Sequence, residues 1–352
     1  MTRTFLLLAL LALFGAAGCS IGDELLGAIV TDGSLGPPIA DGRASTTADA
    51  TAEDVGEAAA QVEASADASA QDDGDDGDAN VVEPLDALGP FGAPSMIAAI
   101  ALLDASNEDP STPGDLLELY FMSTRSGNRD IWVSTRASTG DPWGPASPVT
   151  EVNTPEDEGS PGLSLDGLTM WYAHGAPLDP EIYVTTRASR TAAWAAPTPV
   201  SELDTAGGQF EPAVDEDSRL IFFASDRATV PATGATASTP YDIYSANRTT
   251  AQSTWTAPVP VPGLSSAGFT TEDPFVAGYG LYVWFASNRT GDGDLYASTR
   301  PSVASTFAAP APVSELNTPF EEADPSLSPD FRTILFSSNR AGGLLQIYEA
   351  SR

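Results

Sequence analysis

Two markers recur together five times between residues 91 and 352, and no other property of the chain limits its folding so strongly. The first is an aliphatic-aromatic pair: Ile131-Trp132, Ile182-Tyr183, Ile243-Tyr244, Leu295-Tyr296 and Ile347-Tyr348. The second is an aromatic residue followed by a Pro-rich apolar run, at Phe91, Trp143, Trp194, Trp255 and Phe307. Both advance by about fifty residues and hold one register, the mark of a supersecondary unit stacked against copies of itself. Each copy offers four strand-like runs, in the last one 325–328, 333–337, 346–351 and an outer run of the 310–316 type. The second run is apolar throughout, as in Leu119-Tyr120-Phe121-Met122 and Ile334-Leu335-Phe336. A strand that is apolar on both sides must be covered on both sides, which sheets packed radially around an axis achieve.

The ends of the repeat region predict how the ring closes. The last copy reaches Arg352 after its third strand, and the segment from Phe91 to Ile97 has the pattern of the missing fourth. One blade finished by an N-terminal strand leaves no long sheet edge exposed. The expectation is an all-β, five-bladed β-propeller over 89–352, with four-stranded antiparallel blades and an N-terminal strand closing the last. Asp166-Gly167 and Pro329-Asp330 mark the turns from first to second strand. Residues 163–171 have a superficial likeness to a sialidase Asp-box, but Leu168 stands where that motif needs glycine, so a hairpin turn alone is expected there.

The residues ahead of the repeats are of two kinds. Residues 1–18 carry Arg3, an apolar run and then small residues before Cys19, which is too short to span a bilayer and reads as a secretory signal. Ala16-Ala17-Gly18-Cys19 resembles the bacterial lipobox, with Ala where Leu is commoner, and so implies lipidation at Cys19 and, with Ser20 following, an outer-membrane lipoprotein. Ordinary signal cleavage with an incidental cysteine is the alternative. Residues 19–88 are rich in Ala, Asp, Gly, Ser and Thr, lack aromatic side chains and hold one base, Arg43. Such a segment cannot bury enough apolar surface to offset its ordering entropy and is expected to be a solvated tether. Its acidic run at 72–78 reads as a self-repelling linker before a calcium tract.

Charge and residue types remove several function classes. With 49 acidic side chains against 15 basic ones the formal charge is -34, which repels phosphate backbones and excludes nucleic acid as a partner. One cysteine permits no intrachain disulfide, and one histidine, His174, leaves little for a Ser-His-Asp triad. The pattern Asp-Pro-x-Leu-Ser-Pro-Asp, then Leu-Phe-x-Ser-x-Arg, then Asp-Ile-Tyr resembles the TolB-type, WD-like β-propeller repeat. The resemblance covers 91–352 and implies the fold; no hydrolase or envelope-binding domain accompanies the repeats, so neither activity is carried over.

Three features converge on one mouth of such a propeller. The acids that approach the first strand are Glu108 and Asp109; Glu156, Asp157 and Glu158; Glu211; Glu272 and Asp273; Glu321, Glu322 and Asp324. A Ser-x-Arg turn recurs at Ser123, Ser225, Ser287 and Ser338, its arginine expected to clamp Asp130, Asp242 or Asp294. The third is an insertion at 228–240. So many carboxylates disfavour the compact state unless a partner neutralises them, which points to a divalent cation, calcium being the candidate, to a cationic ligand or to a basic protein segment, the partner of a monomer being an envelope protein, basic segment or glycan. The alternative is that the acids only accept backbone N–H groups. His174 facing Glu181, and Gln346, break the clamp pattern and predict looser turns in the second and fifth copies. The arginines that end each copy, Arg136, Arg187, Arg248, Arg300 and Arg352, read as scaffold, and the recurring tryptophans as covers between blades. The expected function is a non-catalytic, lipid-anchored envelope scaffold. The alternatives are a five-bladed glycoside hydrolase using central carboxylates and a passive structural lipoprotein.

Overall fold

The computed structural model describes residues 88–177, 179–205, 207–227 and 241–352. Cys19, the acidic tether, the run at 72–78 and the insertion at 228–240 lie outside them. Among the described residues no helix is long and apolar enough to cross a membrane.

Among the described residues twenty strands form five four-stranded antiparallel sheets. The first blade is β2 (Asn107–Ser111), β3 (Glu118–Ser123), β4 (Asp130–Thr135) and β5 (Ser147–Pro148). The second is β6 (Asp157–Leu163), β7 (Thr169–Ala176), β8 (Asp179–Thr186) and β9 (Thr198–Pro199). The third is β10 (Gln209–Val214), β11 (Leu220–Ser225), β12 (Asp242–Asn247) and β13 (Val259–Pro260). The fourth is β14 (Thr271–Ala277), β15 (Tyr282–Ser287), β16 (Asp294–Thr299) and β17 (Ala311–Pro312). The fifth joins β18 (Glu322–Leu327), β19 (Thr333–Ser338) and β20 (Gln346–Ser351) to β1 (Ser95–Met96) from the other end of the repeat region. Ser95 pairs with Glu349 and Met96 with Tyr348, and the bonds Gly92 N–H to Ser351 O (2.8 Å) and Ile97 N–H to Ile347 O (3.0 Å) extend the seam. The five-bladed ring and its closing strand are therefore as expected from the repeat.

The outer strands are shorter than the sequence pattern suggests, two residues each. A proline ends each of the four internal ones and removes a donor from the exposed edge, which protects the sheet from further pairing. The apolar residues that follow, such as Val149, Val152, Val313 and Leu316, bury instead into the gaps between blades. The recurring aromatics do the same: Trp255 packs with Trp171 and Ile182 of the preceding blade, and Phe91 with Trp284 and Leu295.

Each of these aromatics also carries the guanidinium of the arginine that ends a third strand. Arg136 lies 4.1 Å over Trp143, Arg187 4.4 Å over Trp194, Arg248 4.1 Å over Trp255, Arg300 4.4 Å over Phe307 and Arg352 4.2 Å over Phe91. Nε of each donates to a carbonyl in the first-to-second-strand turn, at 2.7–2.8 Å for Leu116, Gly167, Ser218, Gly280 and Phe331. The terminal arginines are scaffold, held by stacking and at least one backbone acceptor each, with Glu349 added for Arg136 and Glu118 for Arg187. At the turn in the second blade Asp166 accepts from Ser164 Oγ (2.6 Å) and Leu168 N–H (2.9 Å), a hairpin closure repeated by Asp330 with Ser328 and Arg332.

Candidate functional site

The acids expected in the loops ahead of the first strands mostly belong to the inner strands themselves. Pairing along each inner strand is interrupted once, between Glu108 and Ser111, Gly159 and Gly162, Phe210 and Ala213, Glu272 and Phe275, and Ala323 and Ser326. At every interruption a non-glycine residue adopts a left-handed backbone just before a proline: Asp109 (φ 56°), Ser160 (φ 51°), Glu211 (φ 56°), Asp273 (φ 54°) and Asp324 (φ 54°). That conformation costs roughly 1–2 kcal/mol per residue, and recurs because each bulge turns one side chain towards the axis.

These five positions form a ring. Glu211 Oε2 accepts from Asp273 N–H (2.6 Å), Asp273 Oδ2 from Asp324 N–H (3.2 Å) and Asp324 Oδ2 from Asp109 N–H (3.1 Å). Asp109 Oδ2 accepts from Ser160 N–H (2.9 Å) and Ser160 Oγ (3.2 Å). Each carboxylate thus ties its blade to the next, and the chain of links stops at Ser160, whose hydroxyl turns back to Asp109. Among the described residues none of the four carboxylates is in an ion pair. Burial, then the neighbouring acids, pushes Glu211, Asp273 and Asp324 well above the usual carboxylate range, although each touches the narrow channel.

Two acids outside the ring, unlike the half-buried Asp109, Glu211 and Asp324, are fully buried between blades. Glu158 accepts from Thr154 N–H (2.8 Å) and Thr154 Oγ1 (2.5 Å) and meets His174 Nδ1 at 2.9 Å. Glu322 accepts from Thr318 N–H (2.6 Å), Thr318 Oγ1 (2.7 Å) and Ser338 Oγ (2.8 Å), with Arg340 at 3.1 Å. Asn107, Gln209 and Thr271 occupy the same buried position in the other blades. These are structural capping groups, and they leave the expected ligand set.

What remains at the mouth is a rim: Glu108, Glu272 and Glu321, with Glu156 and Asp157 further out. Burial and then Glu321 push Glu272 up to about 7, and burial and then Asp109 raise Glu108. Glu156 stands 3.4 Å from His174 Nε2, and Asp157 Oδ1 accepts from Arg129 N–H (3.2 Å). Between the fourth and fifth blades Glu272, Asp292, Glu321, Asn288, Asn339 and Phe320 line an open polar hollow of about 410 Å³. Among the described residues no group of three or more His, Cys, Asp or Glu side chains is arranged to hold a metal ion, so the eleven expected ligands do not converge into one calcium cage.

The Ser-x-Arg arginines do not clamp the aspartates that follow them. Arg125, Arg227, Arg289 and Arg340 fold back so that Nε donates to the serine of their own turn, at 2.8–3.0 Å. Nη2 donates to a carbonyl of the preceding turn, Ile100, Leu203, Leu264 or Leu316, at 2.7–2.9 Å. The guanidinium then stacks on aromatics of the second and third strands, 4.9 Å from Phe223 and 4.8 Å from Tyr244 in the third blade. Asp130 and Asp294 accept instead from Ser126 and Thr290. Stacking and carbonyl acceptors win because the guanidinium lies flat on the blade, while Asp130 and Asp294 are satisfied by hydroxyls within their own turns and Asp242 by Ser265 of a later loop.

The two turns expected to be loose are not. In the second blade pairing continues through His174–Glu181 to Ala176–Asp179, giving the longest strands of the ring, at eight residues each. In the fifth, Gln346 accepts from Leu102 N–H (3.1 Å) and Asn107 Nδ2 (2.8 Å) and donates to Leu102 O and Ala105 O (2.9 Å each), locking the last blade to the first. Sequence reading missed Ser160 as a ring member; the signal was the proline after it, shared with the other four.

No protein-family model matches this sequence and no curated protein matches it either. Solved structures do resemble it. TolB from Acinetobacter baumannii superposes with a TM-score of 0.42 at 16% identity, over 70% of this chain and 54% of that one, so the chain spans about half of TolB's length. A thermostable family-43 glycoside hydrolase gives 0.52 at 13% identity, over 73% of this chain and 91% of that one. A family 117 glycoside hydrolase from the marine bacterium Zobellia galactanivorans gives 0.50 at 12%, over 74% and 90%. At such identities the likeness is one of fold.

Proposed function

We propose that this protein is a non-catalytic binding propeller of the cell envelope, held to the outer membrane through Cys19, and that it presents its acidic rim to a basic segment of a partner protein. The observation that carries the reading is the unneutralised rim: among the described residues Glu108, Glu272 and Glu321 form no ion pair, while Arg125, Arg289 and Arg340 nearby are spent on carbonyls, aromatic faces and, for Arg340, the buried Glu322. A concave wall with unpaired carboxylates, amide side chains and the exposed ring of Phe320 suits an arginine or lysine, which pairs with the acids and stacks on the aromatic. Binding would neutralise charge that now disfavours the folded ring. The test is copurification from detergent-solubilised envelope with the full chain and with a Glu272→Gln/Glu321→Gln variant. The reading requires a stoichiometric partner that is retained at low salt, released at high salt and lost with the variant; a partner indifferent to both refutes it.

Glycoside hydrolysis is the second reading, supported by the carboxylates that meet at the axis in unequal surroundings, an arrangement that separates acid from base roles. Against it, one oxygen of each of the four ring acids is committed to a backbone N–H. Hydrolysis of aryl glycosides that disappears in Asp273→Asn would favour the enzyme.

A further inference from the structure

The ring has two sides, and the side away from the rim is the less expected. Beyond the five bulge prolines a half-open channel runs along the axis towards the first-to-second-strand turns, past Val214, Val276 and Leu327 to Leu165 and Pro329. It offers about 100 Å³ to water-sized contents, several times what one water needs. The residue after each proline decides whether the channel is open: Ser111, Gly162, Ala213 and Ser326 are small, and the one large side chain, Phe275, packs edge-on against Trp284 (6.2 Å). At Gly162 a β-carbon would meet Pro212 O at 1.9 Å, so no larger residue fits where the second and third blades meet. A largely apolar channel with a few convergent polar groups is the ordinary form of a small-ligand site.

Its polar end is the ring. Asp109, Glu211, Asp273 and Asp324 reach it with backbone donors but no cation among the described residues. Ser337, fully buried, lies beside Asp324. Acids without a counter-ion and an apolar barrel behind them share one complement: a small cation with a linear hydrocarbon tail.

We infer that the axial channel binds a linear primary alkylammonium, its head among Asp109, Asp273 and Asp324 and its chain along the Pro, Val and Leu wall. The sources of such a group are a free aliphatic amine and the side chain of a lysine. A primary ammonium supplies three N–H donors for the oxygens the backbone leaves free, whereas a quaternary head has none. This site is distinct from the rim and does not rest on the binding partner proposed for it.

The test is calorimetric titration of the full chain with methyl-, butyl- and hexylammonium chloride, with hexanol, hexyltrimethylammonium and an Nα-acetyl-lysine amide as comparisons. Saturable 1:1 binding is expected, tightening about threefold to fourfold per methylene until the channel is filled, with hexanol and the quaternary amine at least tenfold weaker. A lysine amide that binds as well as butylammonium identifies a protein side chain as a source; one that does not identifies a free amine. Asp273→Asn/Asp324→Asn should weaken hexylammonium at least tenfold, and Glu272→Gln/Glu321→Gln should leave it unchanged. Should the ring variant not fold, the chain-length series and the hexanol comparison on the native chain decide alone. Absence of saturable binding, equal binding of hexanol, or loss of binding with the rim variant and not the ring variant overturns the assignment.

Discussion

Glu272 and Asp273 are neighbours in one strand, yet the structure gives them opposite work. Asp273 sits on the bulge and closes the ring, accepting from Asp324 N–H at 3.2 Å. Glu272, one residue earlier, pairs in register with Ala286, faces the rim cavity and has no hydrogen-bonded partner among the described residues. The difference teaches that an acidic run in a repeat is a mixture of unlike groups. Ring acids satisfy backbone donors, rim acids are left with net charge, and a third set, Glu158 and Glu322, is buried with dedicated partners.

The third set is the limiting case for that comparison and carries the largest expected effect. Arg340→Ala should destabilise the propeller by about 3–5 kcal/mol, because it leaves Glu322 buried without its cation and strips the stack from Phe336 and Tyr348. Urea unfolding measures this, and a loss under 1 kcal/mol would show that Glu322 is held by its hydroxyl and backbone donors alone. Next comes the ring. Asp273→Ala orphans the Asp324 N–H and should cost about 1–3 kcal/mol, whereas Asp273→Asn keeps an acceptor, removes a buried charge and should be neutral or stabilising at pH 8. Equal losses in the two variants would mean that the ring is ionic and would break the distinction drawn from Glu272.

The pH dependence sharpens the same contrast. Glu211, Asp273, Asp324 and Glu272 all hold protons more tightly folded than unfolded. Their contribution is fully present below the ordinary carboxylate value and is lost as pH rises through the folded value, about 7 for Glu272. The melting temperature should therefore be higher by a few degrees, on the order of 1 kcal/mol, at pH 5.5 than at pH 8. Glu272→Gln should flatten the part of the profile nearest pH 7 and leave the rest. A melting temperature that climbs with pH across this window would contradict the ring's buried charge. The smallest effect belongs to the outermost rim: Glu321→Gln should alter stability by no more than about 0.5 kcal/mol while still weakening capture of a basic partner.

Much of the fold was legible because burial and turn chemistry are written locally. The second strands declare themselves by being apolar throughout, Trp143, Trp194 and Trp255 by recurring ahead of Pro-rich runs, and the closing strand by the pattern around Phe91. The site was legible only as a set of acids. Nothing in the spacing of Glu272 and Asp273 says that the proline after them coincides with a bulge, or that the bulge sends one inward and the other to the rim. The Ser-x-Arg turns misled for a related reason: Asp130 is close in sequence to Arg125, but the guanidinium donates to the carbonyl of Ile100 at 2.8 Å and lies 4.7 Å over the ring of Trp132, contacts that need no second charge to be removed from water.

The sequence by itself determined that five equivalent sheets stack and close on an N-terminal strand, since hydrophobic period and repeat length depend only on residues near one another. The tertiary structure alone decided which carboxylates meet, because the ring joins Asp109, Glu211, Asp273 and Asp324 from four blades. Its broken link at Ser160 and the channel behind it exist only once all five bulges surround one axis. Desolvation there is a property of the assembled ring, since only the packed blades remove water from a side chain that every isolated repeat would leave exposed.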